Sequence, residues 1–335
     1  MTCPRCGNVV EPSHRFCEEC GLNLRQTRTP VGGPLGAAAA CRGCGGDSFG
    51  PDGFCEQCGH VRPSGRDRMM ADLGLVAGLS DRGRRRSRNE DSMACGVAFG
   101  AAGQPGPASA VVAVVCDGVA STERADSASQ VAADQAADIL LEAAAQSDFD
   151  AEAATSEAVA AAFEAVTELK RADESPSCTY VSAVVTGTEV TVGWLGDSRA
   201  YWIGDALQSE QLTTDDTVVS LLIAAGISEE DALNDPGAHA LARWVGADAE
   251  EREPHVRTCS PAGSGVIVLC SDGLWNYLPT LGSLDAAVRA DPRPPSQRSP
   301  SDLVDALVAL ALESGGHDNV TVVAVPFPIG DGGTT

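Results

Sequence analysis

Val111-Val-Ala-Val-Val-Cys116-Asp117-Gly118 is an unbroken apolar run that stops on an aspartate and a glycine. Val266-Ile-Val-Leu-Cys270-Ser271-Asp272-Gly273 repeats the device later in the chain. Each run has core-strand length, and Asp-Gly is a common turn dipeptide. Outward from these two runs, apolar or alternating stretches predict further strands at 73–79, 93–99, 179–186, 189–195, 199–203 and 320–325. Two Ala-rich helical patterns cover 127–146 and 151–172, and two more cover 217–225 and 302–313. Strands come in clusters and helices in pairs, so a strictly alternating parallel sheet is not indicated. The expected fold is α+β: a four-layer α-β-β-α sandwich of two antiparallel sheets flanked by helices.

The 335 residues carry a net charge of −24, with 43% apolar residues. That apolar share rules out disorder throughout, and the charge argues against nucleic acid or anionic lipid as partner. It suits divalent cations and basic peptides. Lys170 is the only lysine and alanine is abundant, which reads as high-GC coding and a bacterial origin. No apolar run approaches the roughly 20 residues that span a bilayer. The N-terminus opens on Cys3 and Cys6 instead of a basic and apolar leader. No membrane association and a cytoplasmic location are expected, where thiols stay reduced.

Eight of the 13 cysteines lie in the first 58 residues as Cys-x-x-Cys pairs. Cys3/Cys6 and Cys17/Cys20 form one unit, and Cys41/Cys44 and Cys55/Cys58 repeat it at a period of 38. Phe16 and Phe54 precede the second pair of each unit, and a glycine follows every pair. Two such knuckles complete a tetrahedral four-thiolate zinc site, and a closed shell of four sulfurs marks structural metal. Units of about 20 residues cannot bury a core, so the metal supplies most of their folding energy. His14 and His60 are surplus ligands. The units resemble the zinc-ribbon family, and the tandem resembles a double zinc ribbon holding two structural Zn²⁺. Cys95, Cys116, Cys178, Cys259 and Cys270 read as small buried hydrophobes. Residues 1–26 are expected to form ribbon 1 and 41–60 ribbon 2. Linkers are expected at 27–40 and 61–72, one large domain at 73–328 and a tail at 329–335.

Acidic residues mark the ends of several predicted strands: Asn89-Glu90-Asp91, Asp117-Gly118, Gly196-Asp197-Ser198-Arg199, Ser271-Asp272-Gly273 and His317-Asp318-Asn319. Singly, each reads as a turn or cap. Together they form a set of hard oxygen ligands, which repel one another without a cation and favour Mg²⁺ or Mn²⁺. This series, in this order and opened by Arg86, resembles the metal-dependent protein phosphatase family of the 2C type over residues 73–328.

The resemblance implies a serine/threonine phosphoprotein phosphatase acting in signalling, opposed to bacterial Ser/Thr kinases. Its nucleophile would be water bridging two Mn²⁺ or Mg²⁺ ions. By the same resemblance Asp117 bridges the metals, Glu90 and the Gly118 carbonyl complete one site, and Asp272 and Asp318 bind the other. Asp197 matches the position that helps to hold a third ion in some members. Asp91 orients the nucleophile, Asn319 supports Asp318, and Arg86 grips the substrate phosphate. Partners would be phosphorylated proteins, with a kinase or scaffold reached through the ribbons.

One departure stands out. Val119-Ala120-Ser121-Thr122 follows Asp117-Gly118, with no histidine where many relatives have one, and an alkoxide leaves poorly without a proton. His239, in an expected flap at 234–246, is a substitute donor. The altered loop also supports an alternative: a catalytically weak or inactive phosphatase-fold protein that recruits partners through its zinc ribbons.

Overall fold

The computed structural model describes residues 2–329 apart from 4, 12–13, 34–39, 42–43 and 100–107. Its strands are β1 Gln26–Arg28, β2 Arg68–Asp72, β3 Ala77–Asp81, β4 Ser92–Phe99, β5 Ala108–Cys116, β6 Ser177–Cys178 and β7 Tyr180–Thr186. They continue with β8 Glu189–Leu195, β9 Arg199–Gly204, β10 Ser209–Gln211, β11 Val245–Gly246, β12 His255–Cys259, β13 Gly265–Cys270 and β14 Val320–Phe327. The helices are α1 Ala125–Ala144, α2 Ala151–Glu168, α3 Val218–Ala224, α4 Glu229–Leu233, α5 Asp272–Trp275, α6 Leu281–Val288 and α7 Pro300–Glu313.

One antiparallel sheet runs β1-β4-β5-β7-β8-β12, and the other runs β10-β9-β13-β14-β3-β2. Strand periodicity explains why β5 is apolar throughout. Val111, Ala113 and Val115 face the second sheet, where they share a core with Ile267, Leu269, Val323 and Val325. Val112, Val114 and Cys116 face the other way, onto Ala132, Ala136, Leu140 and Leu141 of α1. The outer face of the second sheet buries Val266, Val268 and Val322 against Leu303, Leu307 and Val308 of α7. Helices, sheet, sheet and helices thus make the four expected layers.

The N-terminal boundaries differ from the expectation. The segment expected as a linker at 27–40 begins as strand β1, paired antiparallel with β4 through Gln26↔Ala98, Thr27↔Val97 and Arg28↔Gly96. An open edge of β4 would present unpaired backbone groups, and β1 covers them. Beyond it Thr29 is buried and exchanges hydrogen bonds with Cys95: its N–H donates to Cys95 O at 2.9 Å, and its Oγ1 accepts from Cys95 N at 3.2 Å. Arg28 Nη2 donates to Asp134 Oδ1 of α1 at 2.6 Å, and its Nη1 pairs with Asp138. Gly32 N donates to Asp134 Oδ2 at 2.8 Å. The rest of that stretch, 34–39, lies outside the described residues.

The second expected linker, 61–72, ends in β2, and the strand expected at 73–79 is the turn at 73–76 and the start of β3, which pairs with β2 as a hairpin. Asp72 Oδ1 accepts from Gly74 N at 2.9 Å, a side-chain-closed turn that the apolar pattern of 73–79 hides. Of the tail, Ile329 is buried, and 330–335 lie outside the described residues. Among the described residues no helix is long and apolar enough to cross a membrane.

Asp134 and Arg28 are both largely buried, at 8% and 13% side-chain exposure. Asp134→Ala leaves the guanidinium and the Gly32 N–H short of an acceptor, which costs about 2 kcal/mol. Urea unfolding with zinc retained measures it. Unchanged stability would show that residues 28–32 do not hold to the sheet and α1.

Candidate active site and cysteine clusters

Strand register places the acidic residues at one end of the two sheets. Cys116, just before Asp117, pairs with Ser92, two residues after Glu90. Cys270, two residues before Asp272, pairs with Arg199 on one side and Val322 on the other. Arg199 follows Asp197 by two residues, and Val322 follows Asp318 by four. The resulting cleft, about 190 Å³, is lined by Arg86, Glu90, Asp117, Gly118, Asp197, Asp272 and Asp318 among others. His239 and Leu241 line it from the segment that follows α4.

Asp91 is not in the cleft. It is fully buried beneath it, its Oδ2 accepting from Ser271 Oγ and Thr321 Oγ1, both at 2.7 Å. Its Oδ1 has no hydrogen-bond partner among the described residues. Asp91 therefore acts on the cleft through its acidic neighbours Asp117 and Asp272. Asn319 donates its backbone N–H to Asp318 Oδ1 at 2.8 Å, and its side chain has a further task. Its Oδ1 accepts from Glu90 N at 2.8 Å, and its Nδ2 donates to Arg82 O and Arg88 O at 2.8 and 2.9 Å. It thereby closes the 82–90 loop onto the start of β14. A Cβ on Gly273 would lie 1.8 Å from Asn319 O, so only glycine lets Asp272 approach this backbone.

Thr179 is a site residue that sequence reasoning missed. Its Oγ1 accepts from Asp117 N at 3.0 Å and bonds Ser198 Oγ at 2.7 Å, so it couples the Asp117 turn to the Asp197 turn. The hydroxyls of Ser271 and Thr321 were missed likewise. Thr321 lies inside a strand pattern, where nothing marks it as polar support.

Arg86 donates to both oxygens of Asp318, from Nε at 2.6 Å and from Nη2 at 2.5 Å. It is the guanidinium among the cleft-lining residues. Burial, reinforced by neighbouring acids, raises the other carboxyls. Asp91 is pushed up to about 7 by burial and Asp272, and Asp197 to about 7 by burial, Asp272 and Asp215. Asp272 is pushed up to about 6 by burial and Asp318, and Asp117 lies well above the usual carboxylate range for the same two kinds of reason. Burial raises Glu90 as well, against the pull of Arg88 and Arg86. Crowded carboxylates in one cleft, most of them raised by burial and by acidic neighbours, are a donor set that a hard dication fits.

In ribbon 1 the sulfurs of Cys3 and Cys20, and of Cys6 and Cys17, are 3.6 Å apart. In ribbon 2, Cys41 and Cys58 are 3.3 Å apart and Cys44 and Cys55 are 3.5 Å apart. All ligand atoms of each set lie within 4.8 Å of one another. A tetrahedron with Zn–S of about 2.3 Å has sulfurs about 3.8 Å apart, so each set fits one zinc ion with small adjustment. His60 Nδ1 sits 3.4 Å from Cys58 Sγ, beside the cluster and not within the four.

The class these features define is a two-sheet sandwich with an acidic, dication-accepting cleft, preceded by two four-cysteine zinc modules. Residues 84–308 match the Protein phosphatase 2C family model, and residues 3–59 match that of the Double zinc ribbon. The chain belongs to the protein phosphatase 2C family. It is 30% identical over 253 residues to the serine/threonine phosphatase stp of Listeria monocytogenes serotype 4b (strain F2365), covering 73% of this chain and 93% of that one. To the stp of Listeria innocua it is 32% identical over 148 residues, 44% of this chain and 55% of that relative's length. The Mycobacterium tuberculosis phosphatase PstP/Ppp matches in structure with a TM-score of 0.57 at 28% identity, over 75% of this chain and 97% of that one. The PstP catalytic domain has also been solved in complex with two manganese ions, and it matches with the same TM-score at 27% identity, over 75% and 97%.

Two outcomes follow from this chemistry. Elemental analysis gives two zinc ions per chain, and Cys44→Ser lowers the count to one. Raised carboxyls mean that the native protein, before Mn²⁺ is added, keeps protons which the unfolded chain releases near pH 4. Its stability therefore falls as pH rises from about 4 through the range of about 6 to about 7 set by Asp272, Asp91 and Asp197. Mn²⁺ offsets the fall. Urea midpoints from pH 5 to 8, with and without Mn²⁺, test this, and coincident curves would refute it.

Proposed function

We propose that the chain is a metal-dependent serine/threonine phosphoprotein phosphatase. The observation that carries this reading is the convergence of Glu90, Asp117, Asp272, Asp318 and Arg86 on one cleft. Glu90, Asp117 and the Gly118 carbonyl would hold one Mn²⁺ or Mg²⁺, Asp117 with Asp272 and Asp318 a second, and Asp197 would help to hold a third. When bound, such ions polarise phosphoryl oxygens and make water a nucleophile near neutral pH.

The chain's own residues do the rest. Arg86 already presents two parallel N–H donors to the carboxylate of Asp318, and the same fork suits two phosphate oxygens. No cysteine or serine lines the cleft among the described residues, and the Thr179 hydroxyl is engaged by Asp117 and Ser198. This supports direct attack by water in line with the departing Ser or Thr oxygen. A bond from water oxygen to phosphorus forms as the ester P–O bond breaks. The leaving alkoxide needs a proton, and His239, exposed at the cleft edge, is the lining imidazole that supplies it. Asp91 positions Asp117 from below.

In this reading the zinc ribbons contact a kinase or scaffold, and the protein works in the cytoplasm, where eight unpaired ribbon thiols stay available to zinc. The domain boundaries are redrawn accordingly. The catalytic domain runs from β2 to β14 and is completed by residues 26–33 of the chain ahead of ribbon 2.

Mn²⁺-dependent hydrolysis of a phosphothreonine peptide tests the reading: Asp272→Asn abolishes it, and Arg86→Ala lowers kcat/KM by about 10- to 100-fold. Absence of turnover in the native protein with Mn²⁺ shown to be bound would overturn it. His239→Ala slows the peptide more than p-nitrophenyl phosphate, whose phenolate leaves without a proton. Equal slowing of both would remove His239 from the proton-donor role.

A further inference from the structure

We propose that Arg84, Arg85 and Arg88 form a second anion subsite beside the reaction cleft, which takes a second phosphorylated side chain one to three residues from the scissile one. The proposal rests on the phosphatase reading and adds a substrate class to it: peptides phosphorylated at two nearby positions.

The first observation is one of missing partners. Acidic residues outnumber basic ones by 47 to 23 in this chain, and many of its arginines pair with one, although others such as Arg5 and Arg171 do not among the described residues. Arg15 pairs with Glu142, Arg68 with Asp81, Arg199 with Asp215, Arg257 with Glu210 and Arg289 with Asp285. The side chains of Arg84, Arg85 and Arg88 are exposed and make no hydrogen bond or ion pair with any described residue. Three arginines of one loop that hydrogen-bond no carboxylate of the described residues leave up to fifteen N–H donors for something else, at five per guanidinium.

The second observation is that their backbone is held. Arg84 N donates to Gly316 O at 2.7 Å, and Asn319 clasps Arg82 O and Arg88 O with one amide group. Gly83 turns at φ +75°, where a Cβ would lie 2.0 Å from Asp318 O. The arginines therefore rise from a loop pinned to the residues that carry Asp318, at a fixed distance from the cleft.

The third observation is place. Arg86, between them, reaches Asp318, and Arg88 and Arg86 both act on the charge of Glu90. All three Cα atoms lie within two residues of Arg86, hence within about 7.6 Å. An extended peptide advances about 3.3 Å per residue, so side chains one to three positions from the phosphoresidue, on the side where this loop stands, are within its reach. Planar guanidinium forks suit a phosphate dianion better than a carboxylate. The net charge of −24 repels a more anionic peptide, so a preference for one has to come from this local basic edge.

The test uses the full chain with Mn²⁺ and three peptides of one sequence: one phosphothreonine, the same with a second phosphothreonine two residues away, and the same with glutamate there. Initial rates should give a kcat/KM about 10-fold or more higher for the doubly phosphorylated peptide, carried mainly by KM. The glutamate peptide should stay close to the singly phosphorylated one. The triple variant Arg84→Gln, Arg85→Gln, Arg88→Gln should bring the ratio near one, and Arg85→Gln alone should lower it part of the way. Its turnover of the singly phosphorylated peptide reports that the triple variant is folded. A native ratio near one, or a ratio that survives the triple substitution, would overturn the subsite. An equal gain from glutamate would overturn its assignment to phosphate. Failure of the native protein on all three peptides would sink the phosphatase reading itself, and the subsite with it.

Discussion

Mutual repulsion among carboxylates is the constraint around which this molecule is arranged. Glu90, Asp117, Asp197, Asp272 and Asp318 share one cleft, with Asp91 buried below, and burial already disfavours their charged forms. Nothing intrinsic to an aspartate would keep it there. The backbone keeps it there: each acid stands at a strand end or strand-to-strand turn, and ladders on both sides of those strands set its position. A rigid, two-faced sandwich is the structural answer to holding like charges together until a cation joins them.

The supporting groups around the cleft serve the same end. Thr179 ties the Asp117 turn to the Asp197 turn, Ser271 and Thr321 hold one oxygen of Asp91, and Asn319 closes the arginine loop onto β14. These are neutral hydrogen-bonding groups. They fix geometry without adding charge to a site that already has too much of one sign.

The N-terminal region is not a passive appendage. Strand β1 extends the first sheet beyond β4, and Arg28 anchors it to α1. Farther along, Arg66, between ribbon 2 and β2, donates to Gln130 Oε1 at 2.6 Å and Ser92 Oγ at 3.0 Å. Ser92 Oγ bonds Ser129 Oγ, which in turn donates to the Glu90 carbonyl. Both stretches that flank ribbon 2 are thus fastened to the helix and strand behind the floor of the acidic cleft. Composition alone, rich in Pro, Gly and Ala, read the first of them as a free linker, because pairing with a distant edge leaves no local trace in sequence.

Local chemistry was legible from sequence because it is local. Four thiols at knuckle spacing can close on one ion without help from elsewhere, so both zinc modules followed from spacing. Strands buried on both faces read as unbroken apolar runs, which is why β5 and β13 were found nearly to the residue, and the alternating Val190, Val192 and Trp194 marked β8. Edge and half-exposed strands such as β1, β10 and β12 were not found, since a strand that is partly wet has no distinct pattern. The acids of the cleft were named from sequence only through their order and family resemblance, and their meeting point was decided by register between strands far apart in the chain. The depth of Asp91, the clasp of Asn319, the hydroxyl support and the unpaired state of Arg84, Arg85 and Arg88 belong to tertiary structure alone. Each depends on which distant groups arrive beside it, and a linear sequence does not carry that distance.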